Sequence, residues 1–183
     1  MAKKLTDSGT SDRRIADADE DSNVTDGGFS SPPCFMHEVD PAWLGRWPVA
    51  EVIDLLNVLL EAERAGAKVT RAMAGDATSP EAREALTDIA GDEARFCAML
   101  SRHVERLGGT PSPKTGAFRE KVMALEDEAA RLALLDKGQA WVVRKIAEAL
   151  PRLSDDALHA DLVDMLDVHE RNLVRSGALR PGG

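Results

Sequence analysis

Four polar residues interrupt otherwise apolar stripes of helical spacing. Glu63 falls between Leu60 and Ala67, Glu93 between Ile89 and Phe96, Gln139 between Leu132 and Val142, and His169 between Met165 and Leu173. Positions on such a stripe face the interior of a helical protein. A buried carboxylate must find a counter-charge, a proton or a metal ion. Two facing glutamates and an imidazole are a donor set that a divalent metal ion accepts. They can also share protons, or pair with arginine or lysine. Gln139 is a weak ligand and suits a hydrogen-bonding role better. Cys97 lies one turn beyond Glu93 and reads as a small buried hydrophobe. His103 points away from the Glu93 direction and is expected at the surface or an interface, and His159 at the surface. Cys34 and His37 have the spacing of metal ligands but lack the second pair that a zinc site requires.

The elements that carry these residues are helices. The stripes repeat every 3.6 residues, and no segment alternates with period two. The first helix runs from about Pro48 to Ala74, with Pro48 suited to the first turn and Gly75 to the stop. The second runs from about Pro80 to Leu107, with Ser79 as N-cap and Gly108-Gly109 as its end. The third is expected from about Ala117 to Leu150, stopping before Pro151. The fourth starts after Ser154, with Asp155 and Asp156 in its first turn, and frays near Gly177. Val49, Trp141 and Met165 read as core, and Glu126, Asp127 and Glu128 as a solvated face. Four such helices make an all-α, antiparallel four-helix bundle over residues 48–176. Counted from the turns, Glu63, Glu93, Gln139 and His169 each lie about eleven to fourteen residues from a helix end, so all four meet at one level to within roughly 5 Å. The link from Gly108 to Gly116 spans about 30 Å when stretched, enough for a long crossover if the flanking helix ends unwind a little. A short turn is the other possibility.

The rest of the chain is of different character. Residues 1–33 are rich in Ser, Asp, Thr and Gly and read as a disordered acidic arm; up to Asp40 the chain holds nine acids and four bases. Residues 34–47 carry apolar side chains fit to strap onto the domain, and residues 177–183 form a flexible tail. Across 183 residues the formal charge is −9, with 4% aromatic residues and two cysteines. The core is therefore aliphatic, a disulfide scaffold is excluded, and the acidic balance argues against nucleic acid as a partner. No apolar run approaches the roughly 18 residues of a membrane span. The N-terminal residues lack the apolar stretch of a signal peptide, which makes a cytoplasmic protein the expectation.

Two segments carry a resemblance. LLNVLLEAERAGA over residues 55–67 looks like the first helix of bacterioferritin-type chains, and DEARFCAMLSRHVERLGGTP over residues 92–111 looks like their second. With DMLDVHERNL in the last helix, the sequence resembles the ferritin-like superfamily over roughly residues 48–175. Its wording is also similar to a group of uncharacterised bacterial ferritin-like domains. The resemblance implies a ferritin-like fold and a metal centre. Glu63 matches the first metal-binding glutamate and Glu93 the second, whereas the histidine that should follow Glu93 falls on Phe96. In the last helix one register places His169 and Asn172 at the ligand positions, the other Glu170 and Leu173; the first keeps to the apolar stripe. The third-helix glutamate is replaced by Gln139 or Asp136. The expected site is then Glu63, Glu93, His169 and Gln139 around one metal ion rather than two, with iron as the first candidate and manganese or zinc as others. Oxidation by dioxygen or peroxide is the implied chemistry, and a homodimer the implied assembly. The competing reading is a bundle that has lost its metal and serves as a non-catalytic interaction module.

Overall fold

The computed structural model describes residues 44–179. The acidic arm, Cys34, His37 and most of the strap lie outside the described residues. Among the described residues the structure is all-helical, with no strand. Five α-helices follow in order: α1 (Val49–Asp76), α2 (Pro80–Arg106), α3 (Phe118–Met123), α4 (Glu128–Ala149) and α5 (Asp156–Gly177), with a 3-10 turn at Leu150–Arg152. Among the described residues no helix is long and apolar enough to cross a membrane.

The helix ends follow local chemistry. The Ser79 hydroxyl accepts from the Ala82 amide and Pro80 occupies the first turn of α2. Gly108, at φ +83°, closes α2. Its amide donates to the Glu105 carbonyl and that of Gly109 to the Val104 carbonyl, the paired pattern of a glycine-terminated helix. Asp155 caps α5 by accepting from the Leu158 amide.

The third expected helix is in fact two. The apolar spacing of Val122, Leu125, Ala129 and Leu132 hides a break at residues 124–127, where Asp127 caps a new helix by accepting from the Ala130 amide. Arg131 holds the turn together by donating to the carbonyls of Leu125 and Met123. Glu126, Asp127 and Glu128 are all exposed, as a solvated face should be, and Asp127 also serves as the cap.

Two apolar clusters fill the interior. One gathers Val52 to Leu60 of α1, Phe96 to Val104 of α2, Val142 and Ile146 of α4, and Leu153 to Val168 at α5. The other gathers Val69 to Ala77 at the end of α1, Ala82 and Leu86 of α2, Val122 of α3, and Leu132 and Leu135 of α4. Their membership fixes the helix directions. Helix α2 returns antiparallel to α1, α4 starts at the same end as α2, and α5 runs back beside α4. The segment between α2 and α4 therefore crosses from one cluster to the other along α1. Asn57 holds it, donating to the Thr110 carbonyl at 3.2 Å and accepting from the Ser112 amide at 2.7 Å. The Ser112 hydroxyl donates to Glu61. At Gly109 the segment lies so close that a Cβ would stand 2.7 Å from Ile53.

Several expected core positions differ. Val49 is exposed, because α1 begins at the open edge of its cluster. Trp141 is half-buried rather than central. Before α1, the Trp47 amide donates to the Arg152 carbonyl at 3.0 Å and the Arg152 guanidinium lies 5.7 Å from the Trp47 ring centre. This is the described end of the expected strap, and it is fastened to the turn before α5.

Candidate functional site

Between the two apolar clusters lies a polar belt. Glu63, Thr70, Glu93, Gln139, His169 and Asn172 are all buried. Helical periodicity places them there: on α1 Glu63 and Thr70 are seven residues apart, two turns on one face. The structure brings the four sequence-predicted residues together as two bonded sets. His169 Nε2 lies 3.1 Å from Glu63 Oε1. Gln139 Nε2 donates to Glu93 Oε1 at 2.6 Å, and Thr70 Oγ1 lies 2.9 Å from Glu93 Oε2. The register of α5 with His169 and Asn172 inward holds; Glu170 is exposed. Asp136, the other third-helix candidate, lies against Ser176 rather than in the belt.

Counting protons makes the belt specific. The Met165 carbonyl only accepts, so His169 Nδ1–H donates to it at 3.0 Å. Nε2 then faces a carboxylate oxygen, and one proton must lie between them. Thr70 Oγ1 is also 2.9 Å from the Gly66 carbonyl. A hydroxyl has a single hydrogen. When it goes to Gly66, the contact with Glu93 is made by a proton on the carboxyl group.

Burial disfavours the charged form of Glu93. It pushes the Glu93 carboxyl well above the ordinary carboxylate range, helped by the nearby Glu63 charge and opposed by the Thr70 and Gln139 hydrogen bonds. Burial raises Glu63 too, against the pull of the His169 hydrogen bond and charge. Among the described residues no lysine or arginine is bonded to either glutamate. Two oxygens have no partner at all, Glu63 Oε2 and Gln139 Oε1.

A glycine makes room for the belt. A Cβ on Gly66 would stand 2.3 Å from Glu93 Oε1, so the carboxyl group rests directly on the α1 backbone. Beside it opens a cavity of about 440 Å³ between α1, α4 and the crossover, lined by Glu63, Glu93 and Gln139 among others.

The raised Glu93 predicts a pH dependence. A carboxyl group that holds its proton more tightly folded than unfolded contributes stability below the ordinary carboxylate range, and that contribution is lost as pH rises through the folded value. Glu93→Gln keeps a hydrogen-bonding group there without the charge. Relative to the parent in EDTA, it is expected to gain about 1.4 kcal/mol per pH unit across that window and then level off. Urea midpoints from about pH 5 upward test this; parallel curves for the two proteins refute it.

Cys97 is half-buried and a free thiol. Burial, reinforced by the Glu63 charge, pushes its pKa up to about 12. In Cys34→Ser protein a thiol reagent at neutral pH is expected to label Cys97 only on the timescale of unfolding.

Sequence reasoning missed Thr70, Gly66 and His103. Thr70 was discoverable as the residue two turns from Glu63. A glycine in mid-helix is destabilising unless something needs the space, which is the signal Gly66 carried. His103 is buried rather than on the surface, because Asp161 of α5 lies 2.6 Å from its Nε2 and Arg106 Nη2 donates to its Nδ1 at 2.9 Å. Arg106 also pairs with Asp155 at 2.7 Å and holds that carboxyl below its ordinary range. This network ties the end of α2 to the start of α5, away from the belt.

Among known families, one profile matches residues 50–178, described as a domain of unknown function (DUF6306). The chain belongs to that family. The match takes in all of α2 to α5 and nearly all of α1, and with them every residue of the polar belt. No curated protein matches the chain.

Proposed function

We propose that this DUF6306 chain is a ferritin-like four-helix bundle whose inner centre takes up one divalent cation, iron first, with manganese or zinc as the other candidates. The long crossover between two helical hairpins supports the fold assignment, since a single such connection is how ferritin-like bundles differ from up-down ones. One observation carries the cation reading. His169 is oriented by its Nδ1 bond to a carbonyl, as metal-ligating histidines are, while Glu63 Oε2 and Gln139 Oε1 stand buried without partners.

The donor set fits one ion and not two. Phe96 replaces one histidine, and Glu93 is engaged with Thr70 and Gln139. Glu63 and His169 would hold the ion, with Gln139 and then Glu93 joining as they exchange their present bonds. A bound iron ion would supply one-electron chemistry toward dioxygen or peroxide. Glu63 and Glu93 would supply the negative charge and release protons on binding, and the apolar clusters on either side would exclude water. A cytoplasmic setting and pairing as a homodimer belong to the same proposal; light scattering of the full chain tests the second.

A second reading has its own support. Among the described residues no three of His, Cys, Asp and Glu gather as a group able to hold a metal ion. Glu93 is already fully bonded. On this reading the belt fixes helix register in a metal-free interaction module. Metal analysis of untagged protein separates the two. Stoichiometric Fe, Mn or Zn, lost in Glu63→Ala and Glu93→Ala, supports the cation centre. Protein that takes up none of the three and is stabilised by Glu93→Leu supports the module.

A further inference from the structure

The cavity beside the belt has features that the cation reading leaves unused. Its volume of about 440 Å³ lies within the range of small-molecule sites. Its walls are largely aliphatic and aromatic, from Ala62, Leu134, Leu135, Trp141 and Val142. At its inner side are Glu63 and Gln139, each with one oxygen lacking any donor. The orientation of the Gln139 amide is set by its neighbour. Its nitrogen donates to Glu93 Oε1 at 2.6 Å. The amide oxygen is therefore the free end. At the outer side the exposed Lys121 of α3 and Lys137 of α4 line the same opening. The third acid of the lining, Glu61, is taken up by Ser112.

An occupant must match this polarity. Two inner acceptors without donors call for a group with several N–H bonds. An ammonium has three donors, and a hydroxyl only one. The apolar walls call for an aliphatic body, and the two lysines for a terminal anion. We propose that the cavity is a binding site for a short aliphatic amino acid with a terminal amine, ammonium inward at Glu63 and Gln139, carboxylate outward at Lys121 and Lys137. Both inner oxygens are closed to solvent, so uptake includes a turn of the Gln139 side chain toward the ligand. The inference does not depend on the cation reading; an ion held by Glu63 would compete for the same oxygens.

Calorimetric titration of the full chain in EDTA tests it with three four-carbon probes: gamma-aminobutyrate, n-butylamine and butyrate. Gamma-aminobutyrate is expected to bind, n-butylamine to bind about two- to fivefold more weakly, and butyrate not to bind. Gln139→Leu should weaken gamma-aminobutyrate about tenfold or more, the loss of a hydrogen bond to a charged group. Lys137→Ala, a surface change that leaves the fold intact, should lower the affinity for gamma-aminobutyrate toward that of n-butylamine. Absence of binding by gamma-aminobutyrate, equal binding by all three probes, or an affinity unchanged in both variants overturns the proposal.

Discussion

Gly66→Ala is expected to destabilise the protein by about 2–4 kcal/mol, although alanine is the better helix former. The added Cβ would stand 2.3 Å from Glu93 Oε1 and 2.7 Å from its carboxyl carbon. The nearest obstacle is the carboxyl end of a buried side chain held on both oxygens, so it has no free direction to move in. Displacing it breaks the bonds from Gln139 and Thr70 and strands buried polar groups. A double-mutant cycle isolates the cause. In a Glu93→Ala background the obstacle is gone, and Gly66→Ala should become stabilising by about 0.5–1 kcal/mol, its helix-propensity value. Urea denaturation of the four proteins reads this directly. A Gly66→Ala cost that persists without the Glu93 side chain would show that the glycine serves some other contact.

How far the sequence speaks for itself differs between levels of the structure. The apolar stripes locate α1, α2 and α5 to within two residues at each end, because each is bounded by residues with strong local meaning: Pro48, Ser79 with Pro80, Gly108, and Asp155. The same stripes identify Glu63, Glu93, Gln139 and His169 as inward-facing, since burial at a mid-helix position is set by periodicity alone. What periodicity does not contain is pairing. Which of the four bonds to which depends on helix direction and on side-chain length. Those in turn depend on a crossover whose course is set by Asn57, Glu61 and Gly109 rather than by any stripe. The break before α4 was hidden for the opposite reason. Its apolar residues happen to keep helical spacing across a four-residue gap, and the only sign of it was an aspartate at a capping position inside an acidic run that also suits a solvated face. His103 was misplaced because its partner Asp161 belongs to another helix. Exposure was judged from one helix's own stripe, and a histidine bonded across a helix–helix seam lies off that stripe.

The Glu63–His169 pair should show an asymmetry that a simple count of lost contacts would miss. Among the described residues His169 is the only group bonded to Glu63, so His169→Leu leaves a fully buried carboxyl with both oxygens bare. The expected loss is about 3–5 kcal/mol, the scale for stranding one member of a buried pair. Glu63→Leu leaves an imidazole that still donates through Nδ1 to the Met165 carbonyl and loses only the partner of Nε2. Its expected loss is smaller, about 1–3 kcal/mol. Replacing both by leucine should recover much of the loss, because no polar atom is then stranded and the apolar clusters above and below extend across the gap. Equal losses in the single variants, or a double variant as poor as His169→Leu, would refute the pairing. The same series bears on the cation. A ligand that binds only the folded state raises stability in proportion to the logarithm of its concentration. Ferrous ion added anaerobically should then raise the melting temperature of the parent protein and leave both single variants unmoved if Glu63 and His169 hold it. A parent protein indifferent to iron, with the leucine double variant at least as stable, would mark the belt as a device for helix register alone.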